Sequence, residues 1–415
     1  MQPAPHQPAP PLLITNARVL TLANGPRPRR GKALADLGVI AFADVLIENG
    51  VIKSVTPSSS PPHLPTSPPA HLLDARGRVL MPAFVDCHTH ACWAGDRLDE
   101  WEQRLRGVSY LDILKAGGGI MSTVRAVRAA TQPQLEDLLA PRLAQFLANG
   151  TTTLEIKSGY GLKTADELKM LRAIHAAASR WPGTIIATAL LGHAIDPDQP
   201  DFVQRTIKAT LPAVHAEFPG ITIDAYCERG AWSLQDTVAL LEAAKNLGHP
   251  IRVHADQFNS LGMIPEAIRL GAVSVDHLEA STPEDLKALA ASNTFGVALP
   301  VCGLHLDNRF ASPRSFVDAG GALAIATNCN PGSAPTTSMP LAIATAVRNC
   351  GLAPAEAIAA STINAATLLG LIDRGAVSPG QRADLVMLHH EDERMLAYEL
   401  GGNPCIAVIC NGRVL

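Results

Sequence analysis

Two histidines two residues apart, His88 and His90 in the string Asp86-Cys87-His88-Thr89-His90, are the first residues of this 415-residue chain that could do chemistry. At the fraying end of a strand, side chains at i and i+2 point to the same side, so both imidazoles can reach one ion. Neutral imidazole nitrogen is a borderline ligand that suits zinc, iron and similar divalent metals. Two solvated histidines would show the same spacing, so the pair alone leaves both readings open. His254, in PIRVHADQ, offers a third nitrogen. Three imidazoles leave at least one position of an ion open, the mark of a catalytic rather than a structural site. A divalent ion lowers the pKa of water toward ~7 and makes hydroxide available near neutral pH. His277, in VSVDHLE, is then placed to polarise a carbonyl or to move a proton; its alternative is a partner for Asp276 or for a neighbouring strand.

Such residues need a scaffold that brings distant segments together. Eight apolar strand-like runs alternate with amphipathic helical stretches: VLMPAFVD (79–86), TTTLEIKS (151–158), TIIATALL (184–191), ITIDAYCE (221–228), PIRVHADQ (250–257), VSVDHLE (273–279), TFGVALPV (294–301) and ALAIATNC (322–329). Near-continuous apolar runs separated by helices are what a closed parallel barrel needs, because both faces of each strand are buried. A doubly wound open sheet is the competitor. Barrel sites lie after the strands, at their C-terminal ends. Polar residues recur there: Glu155, Lys157 and Tyr160 at the second run, His193 past the third, and Tyr226 and Glu228 at the fourth. Asp256 and Gln257 join His254 at the fifth, Asp276 and Glu279 join His277 at the sixth, Cys302 and His305 follow the seventh, and Asn328 and Asn330 end the eighth. Helix signals accompany the runs: LEDLLAPRLAQFLANG ends on Gly150, while Thr164 with Glu167 and Thr282 with Asp285 read as capping boxes.

The expected fold is α/β, a (β/α)8 TIM-like barrel with a small composite β domain built from both termini. LLITNARVLTL and ADVLIENGVIKSV at one end, ADLVMLH and AVICNGRVL at the other, carry strand patterns with hairpin turns at Asn49-Gly50 and Asn411-Gly412. The expected boundaries are a disordered tail over 1–11, the β domain over 12–78 plus 376–415, and the barrel over 79–375. PSSSPPHLPTSPP (57–69) lacks too many backbone donors for a ladder and reads as a surface loop.

Hydrophobic residues make up 47% and charged residues 17% of the chain, below the usual ~25% charged, which implies a large aliphatic interior. With 34 Lys+Arg against 38 Asp+Glu, a net charge of −4 argues against a nucleic-acid binder. No apolar run is long enough to span a membrane, and MQPAPHQPAPP has no secretory features. The eight cysteines show no C-x-x-C spacing and are expected to be reduced thiols in the cytoplasm.

Together these residues resemble the amidohydrolase superfamily and, within it, the imidazolonepropionase family. The strings that carry the resemblance are MPAFVDCHTHACWAGDRLDEWEQRLRGVSYLDILKAGGGIMSTVRA, TTTLEIKSGYGL, DAYCERGAWS, VHADQFNSLG, DHLEAST and NCNPGSAPTTSMPLA, between residues 79 and 385. The resemblance implies hydrolytic opening of the lactam of 4-imidazolone-5-propanoate to N-formimidoyl-L-glutamate, a step of histidine degradation, by water attacking the ring carbonyl. It implies one divalent metal ion per chain, zinc or iron, with His88, His90 and His254 as ligands and His277 as the carbonyl-polarising residue. It puts Arg97, Tyr110, Tyr160 and His193 on substrate-contacting positions, and Asn330, Gly332 and Ser333 on the segment that holds the ring. An anionic propionate suits the bidentate fork of Arg97, although Arg97 could instead pair with Asp96, Asp99 or Glu100. The partner implied is a small anionic substrate, and relatives are commonly homodimers.

Two positions depart from the pattern. Relatives usually carry Asp on the eighth strand, as metal ligand and as the base for the attacking water, whereas ATNCNPG has Asn328. An amide offers a neutral oxygen ligand but cannot take that proton near neutral pH. Either another carrier serves, with Asp256, His277 and the substrate as candidates, or the substitution impairs turnover. Deaminating relatives use a carboxylate three residues after the fifth-strand histidine, where this chain has Gln257, which can hydrogen-bond but cannot carry a proton toward ammonia. Hydrolysis is therefore expected over deamination, with another cyclic-amide hydrolase or a deaminase of the same superfamily as the alternative. Lys157 raises a carboxylated lysine bridging two metals, but EIKSGYG resembles the one-metal members.

Overall fold

The computed structural model describes residues 10–58, 71–108, 112–113 and 117–415. Tyr110, most of the Pro-rich stretch and residues 1–9 of the expected tail lie outside the described residues. The strands of the outer sheet are β1 (Leu12–Leu20), β2 (Val39–Glu48), β3 (Val51–Pro57), β4 (His71–Asp74) and β5 (Val79–Pro82). The barrel follows with β6 (Phe84–Asp86), β7 (Thr151–Lys157), β8 (Thr184–Gly192), β9 (Thr222–Cys227), β10 (Arg252–Ala255), β11 (Ser274–His277), β12 (Phe295–Ala298) and β13 (Leu323–Ile325). The chain then returns to the outer sheet with β14 (Leu385–Leu388), β15 (Cys405–Cys410) and β16 (Arg413–Val414).

Strands β6 to β13 pair in sequence order, every neighbour parallel. All seven residues of β7 and all four of β10, β11 and β12 are buried, which is why these strands read as continuous apolar runs rather than alternating ones. The ring closes between β13 and β6 just beyond the strand ends. Thr89 and Cys329 form a parallel bridge there, His90 N–H donates to Cys329 O at 2.9 Å, and Asn328 N–H donates to His88 O at 3.1 Å. Asp86 adds a side-chain clasp, its carboxylate accepting from Thr327 N at 3.2 Å and Thr327 Oγ1 at 2.5 Å. The H-x-H string and the Asn328 string are thus tied backbone to backbone.

The run 79–86 is two strands, not one. Val79–Pro82 pairs parallel with β1 and antiparallel with β14, whereas Phe84–Asp86 pairs with β7. The change of partner is made at Ala83 and Phe84, whose N–H groups donate to Asp384 O and Gly150 O. Hydrophobic periodicity cannot show such a handover, because both sheets bury the stretch. The outer sheet runs β16-β15-β14-β5-β1-β2-β3, with β4 also beside β1, so both chain ends build it. Its two hairpins turn at Asn49-Gly50 and Asn411-Gly412, all four residues at positive φ.

Thr282 caps its helix, its side chain accepting from Asp285 N at 3.1 Å, but the expected box is one-sided, since the Asp285 carboxylate accepts from the Thr282 hydroxyl at 2.8 Å in place of its backbone N–H. The Thr164–Glu167 capping box is not formed. Glu167 instead turns its buried carboxylate onto the loop after β7, accepting from Gly159 N, Gly161 N and Leu162 N at 3.0, 2.8 and 2.7 Å. Three amides converging on one carboxylate outbid a single cap. Among the described residues, no helix is long and apolar enough to cross a membrane.

Candidate metal and substrate site

His88, His90 and His254 come together where β6 and β10 end. His90 Nε2 lies 3.3 Å from His88 Nε2 and 3.3 Å from His254 Nε2. Ligands about 2.0–2.1 Å from a tetrahedral ion stand about 3.3–3.4 Å apart, so this spacing fits one ion. His88 donates Nδ1–H to Asp276 Oδ2 at 2.6 Å, and His254 donates Nδ1–H to Asp224 Oδ1 at 3.2 Å. Each bond fixes the tautomer that leaves the Nε2 lone pair free to bind an ion. His90 has no partner on its buried Nδ1; its ring stacks on His193 with centroids 5.1 Å apart. Burial, reinforced by neighbouring charges, pushes the pKa of His88 and His90 well below the ordinary histidine value, and burial also lowers His254. All three are neutral and fit to bind a metal without first losing a proton.

Beneath the histidines lies a cluster of buried charges. Lys157 Nζ sits 2.6 Å from Glu155 Oε1 and 2.8 Å from Asp224 Oδ2. Arg252 donates to Asp276 Oδ2 at 2.6 Å, to Glu155 Oε1 at 3.3 Å and to Cys87 O at 2.8 Å. Each histidine-holding carboxylate is therefore clamped by its own cation, and Glu155 bridges the two cations. Burial pushes Asp224 up, but Lys157 and His254 outweigh it and hold its carboxyl well below the usual range. Two cations against three carboxylates leave this set one negative charge. Lys157 is engaged by two carboxylates as an ammonium, an ionic role and not that of a free amine open to carboxylation. Asp224 and Arg252 had escaped the sequence reading. Their signal was a charge in the middle of a strand buried on both faces, which requires a partner from another strand.

A cavity of about 340 Å³ opens over the histidines, lined by His90, His254, His277, Asn328, Gln257 and Tyr160 among others. Positive φ at Asp256, His277, Leu278 and Asn328 turns the chain sharply at the ends of β10, β11 and β13. For residues with side chains this is an uncommon backbone, and it clusters at functional sites. His277 Nδ1 lies 3.2 Å from Glu279 Oε1, so a neutral ring that donates there turns Nε2 outward as an acceptor. Asn328 Oδ1 is buried without a hydrogen-bond partner, as an oxygen reserved for an ion would be. Gln257 accepts from Tyr226 OH at 2.7 Å and donates to Cys302 Sγ at 3.4 Å, so its amide is held by both neighbours. Asp256 does not line the cavity. Its Oδ2 accepts from Ser281 Oγ at 2.9 Å, while its buried Oδ1 has no partner, and burial pushes its pKa up to about 6; its place outside the cavity lining makes it a less direct proton carrier than His277.

Of the expected substrate contacts, Arg97, Tyr160, His193, Asn330, Gly332 and Ser333 all line the cavity. Arg97 uses Nε on Glu100 Oε2 at 2.6 Å, so the pairing anticipated as its alternative does form. Its two terminal nitrogens lie against Gly332, where a Cβ would stand 3.2 Å from NH1. His193 donates Nδ1–H to Gly159 O at 2.9 Å; burial, chiefly, pushes its pKa down to about 3, leaving a neutral ring with Nε2 as acceptor. Asn330 braces its own loop: Oδ1 accepts from Gly332 N and Ser333 N, both at 2.8 Å, and Nδ2 donates to Asn328 O at 2.6 Å. Those two backbone N–H groups are therefore already engaged. Arg104, absent from the sequence reading, also lines the cavity and donates to His305 Nε2 and to Gly332 O at 3.2 and 3.3 Å.

Residues 79–415 match the sequence profile of the amidohydrolase family. The chain is 45% identical to the imidazolonepropionase of Herpetosiphon aurantiacus, across 97% of this chain and 96% of that one. It is 44% identical to the imidazolonepropionase of Deinococcus radiodurans, across 94% and 96%. The chain belongs to the amidohydrolase family, among its imidazolonepropionases. Solved amidohydrolase folds superpose over nearly the whole chain. The 5-methylcytosine deaminase of Klebsiella pneumoniae, 17% identical, gives a TM-score of 0.74 over 97% of both chains. A zinc-bound adenosine deaminase of Xanthomonas campestris, 19% identical, gives 0.69 over 97% of this chain and 92% of that one. At such identity the likeness establishes the fold alone; kinship to the imidazolonepropionases rests on the full-length sequence matches.

Proposed function

We propose that this amidohydrolase opens the lactam ring of 4-imidazolone-5-propanoate with water, giving N-formimidoyl-L-glutamate, as a cytoplasmic enzyme carrying one zinc or iron ion per chain. The observation that carries the reading is the convergence of three neutral imidazoles, His90 Nε2 lying 3.3 Å from the Nε2 atoms of both His88 and His254, at a cavity that also holds His277 and Arg97. His88, His90 and His254 would hold the ion, with Asn328 Oδ1 as a neutral fourth oxygen. A divalent ion there would polarise the ring carbonyl and bring the pKa of water toward ~7.

The remaining work falls to the chain. Arg97 offers its two terminal nitrogens to the propionate carboxylate. Burial pushes the Tyr160 hydroxyl up, so it stays protonated and donates, while His193 Nε2 accepts a ring N–H. With Nδ1–H given to Glu279, His277 Nε2 accepts the proton of the attacking water as its oxygen adds to the carbonyl carbon. The imidazolium, steadied by Glu279, then gives that proton to the ring nitrogen as the C–N bond breaks. His277 thus takes the task an eighth-strand carboxylate performs in relatives. Gln257, with both ends of its amide engaged, orients the ring and carries no proton, which favours hydrolysis over deamination.

The test is purified protein loaded with zinc or iron and given imidazolone propionate while ring absorbance is followed. Loss of absorbance without ammonia is expected. Ammonia release would replace this reading with deamination, and saturable binding without turnover would mark a chain impaired by Asn328.

A further inference from the structure

We propose that His277, Glu279 and Cys302 form a second, inhibitory site for a thiophilic divalent cation, such as cadmium or zinc in excess. One ligand atom from each residue lies within 4.8 Å of the others, the second such grouping among the described residues. Imidazole nitrogen, carboxylate oxygen and thiolate sulfur are the donors that borderline and soft metals select, and this set excludes magnesium or calcium. The Glu279 side chain is 4% exposed and Cys302 2% exposed, so the three lie in a pocket and not on an open surface.

Two observations show that these donors are underused. Glu279 Oε1 serves His277, but Oε2 is buried with no hydrogen-bond partner. An unpaired buried carboxylate oxygen is costly, and an ion would relieve that cost. Cys302 Sγ receives the Gln257 amide at 3.4 Å and has Ser333 and Asn328 as further polar neighbours; all three are neutral donors to sulfur, weak contacts that a metal–thiolate bond displaces. As thiolate and carboxylate, the two residues together neutralise a dication. Entry is provided as well: His277 and Gln257 both line the substrate cavity, so an ion reaches the pocket by the route the substrate takes.

Occupation stops turnover through a tautomer. Nδ1 is the His277 nitrogen on the Glu279 side. A metal bound at Nδ1 displaces its proton, so the neutral ring carries its remaining hydrogen on Nε2, which no longer accepts one from water. The inhibitory effect rests on the proposed role of His277, whereas occupancy of the site does not.

The experiment titrates cadmium into enzyme already carrying one zinc ion per chain. It follows the thiolate-to-cadmium charge-transfer absorbance, the metal content per chain and the turnover of imidazolone propionate. The expected result is a second equivalent bound, a thiolate band, and turnover reduced at least tenfold. In Cys302→Ser the band disappears and the inhibitory concentration rises at least tenfold, each variant being scored against its own uninhibited rate. Exchange at the three-histidine site gives no thiolate band and is separated in this way. A wild-type band that Cys302→Ser retains, or inhibition without a band, overturns the site. A band lost in Cys302→Ser with wild-type turnover unaffected keeps the site but overturns its inhibitory role, together with the proton-carrying role of His277. Should Cys302→Ser not fold, a cadmium-soaked crystal decides: an anomalous peak at bonding distance from Cys302 Sγ supports the site, and its absence refutes it.

Discussion

Asp276 holds His88 at its far nitrogen, and replacing it separates the effect of that bond from the effect of charge. Its Oδ2 accepts from His88 Nδ1 and from Arg252, both at 2.6 Å, and its Oδ1 accepts from Ser274 Oγ at 2.6 Å. In Asp276→Asn the amide has one orientation that fits. The NH2 faces Ser274, whose hydroxyl turns to accept it, and the oxygen stays on His88 and Arg252. The bond to His88 survives with a neutral acceptor. A charged hydrogen bond contributes about 1 kcal/mol more than a neutral one, so metal affinity falls about fivefold. In Asp276→Ala the acceptor is gone, the His88 tautomer is no longer fixed, and loss of an outer partner costs about 10–100-fold in affinity. Arg252 is left with Glu155 as its acidic partner, at 3.3 Å, and stranding a buried cation in this way destabilises the metal-free fold by about 3–5 kcal/mol. The assay is competition for zinc between metal-free protein and a chromophoric chelator, paired with thermal unfolding of the metal-free variants. The expected order is wild type, then Asn, then Ala, with at least tenfold between the last two. Equal zinc affinities in Asn and Ala would refute the claim that the His88 bond, and not the charge alone, prepares the site.

Further outcomes follow from other contacts. Gly332→Ala places a Cβ 3.2 Å from Arg97 NH1 and pushes the guanidinium aside; steady-state kinetics should show KM raised about tenfold with kcat kept, since a binding contact is lost and no reacting group is touched. Glu167→Gln has one acceptor oxygen for three loop N–H donors, so it should lower stability by about 1–3 kcal/mol in urea unfolding and raise KM by loosening the loop of Tyr160. Asn328→Asp exchanges a neutral oxygen for a charged one at a backbone conformation both residues accept, and should tighten zinc at least tenfold in the chelator assay; unchanged affinity would remove Asn328 from the metal site. Burial holds His249 below the ordinary histidine value, so the stability of its neutral form is full above about pH 6.5 and is lost as pH falls below that. The fall in melting temperature between about pH 7.5 and about pH 5.5 should accordingly shrink in His249→Gln.

The barrel was legible because burial of both strand faces writes itself as apolar runs, and eight of them matched eight strands. The residues of the proposed site were legible for a related reason: His88, His254, His277 and Asn328 sit toward the same end of the first, fifth, sixth and eighth runs. What escaped was non-local. Asp224 and Arg252 find their partners on other strands, and no spacing within ITIDAYC or PIRVHAD reveals them. The Glu167 signal was present but misassigned, because a helix cap and a loop-binding carboxylate need the same residue at the same place. The handover at Ala83 was hidden by apolar sequence on both sides. The left-handed backbone at His277 and Asn328 was hinted at by residue type alone, since histidine and asparagine are enriched in that conformation without being confined to it.

The buried charges explain why a neutral Asn328 suits this site. Lys157, Arg252, Glu155, Asp224 and Asp276 are buried in a chain of unusually low charge content. Taking such ions out of water costs several kcal/mol each, and mutual pairing at best offsets that. Their placement makes physical sense as the means of aiming two imidazoles, with stability surrendered to keep an ion site in register. A dication added to their single negative charge leaves one positive charge. A carboxylate at position 328 would cancel it, whereas the amide preserves it. Because Glu100 pairs with Arg97, that uncancelled charge of the proposed ion site, and not the arginine alone, would draw an anionic substrate into a protein whose overall charge is −4. In the proposed reaction the same amide would send the proton by way of His277, so the one residue at position 328 would bear both on the charge of the pocket and on which side chain does its acid–base work.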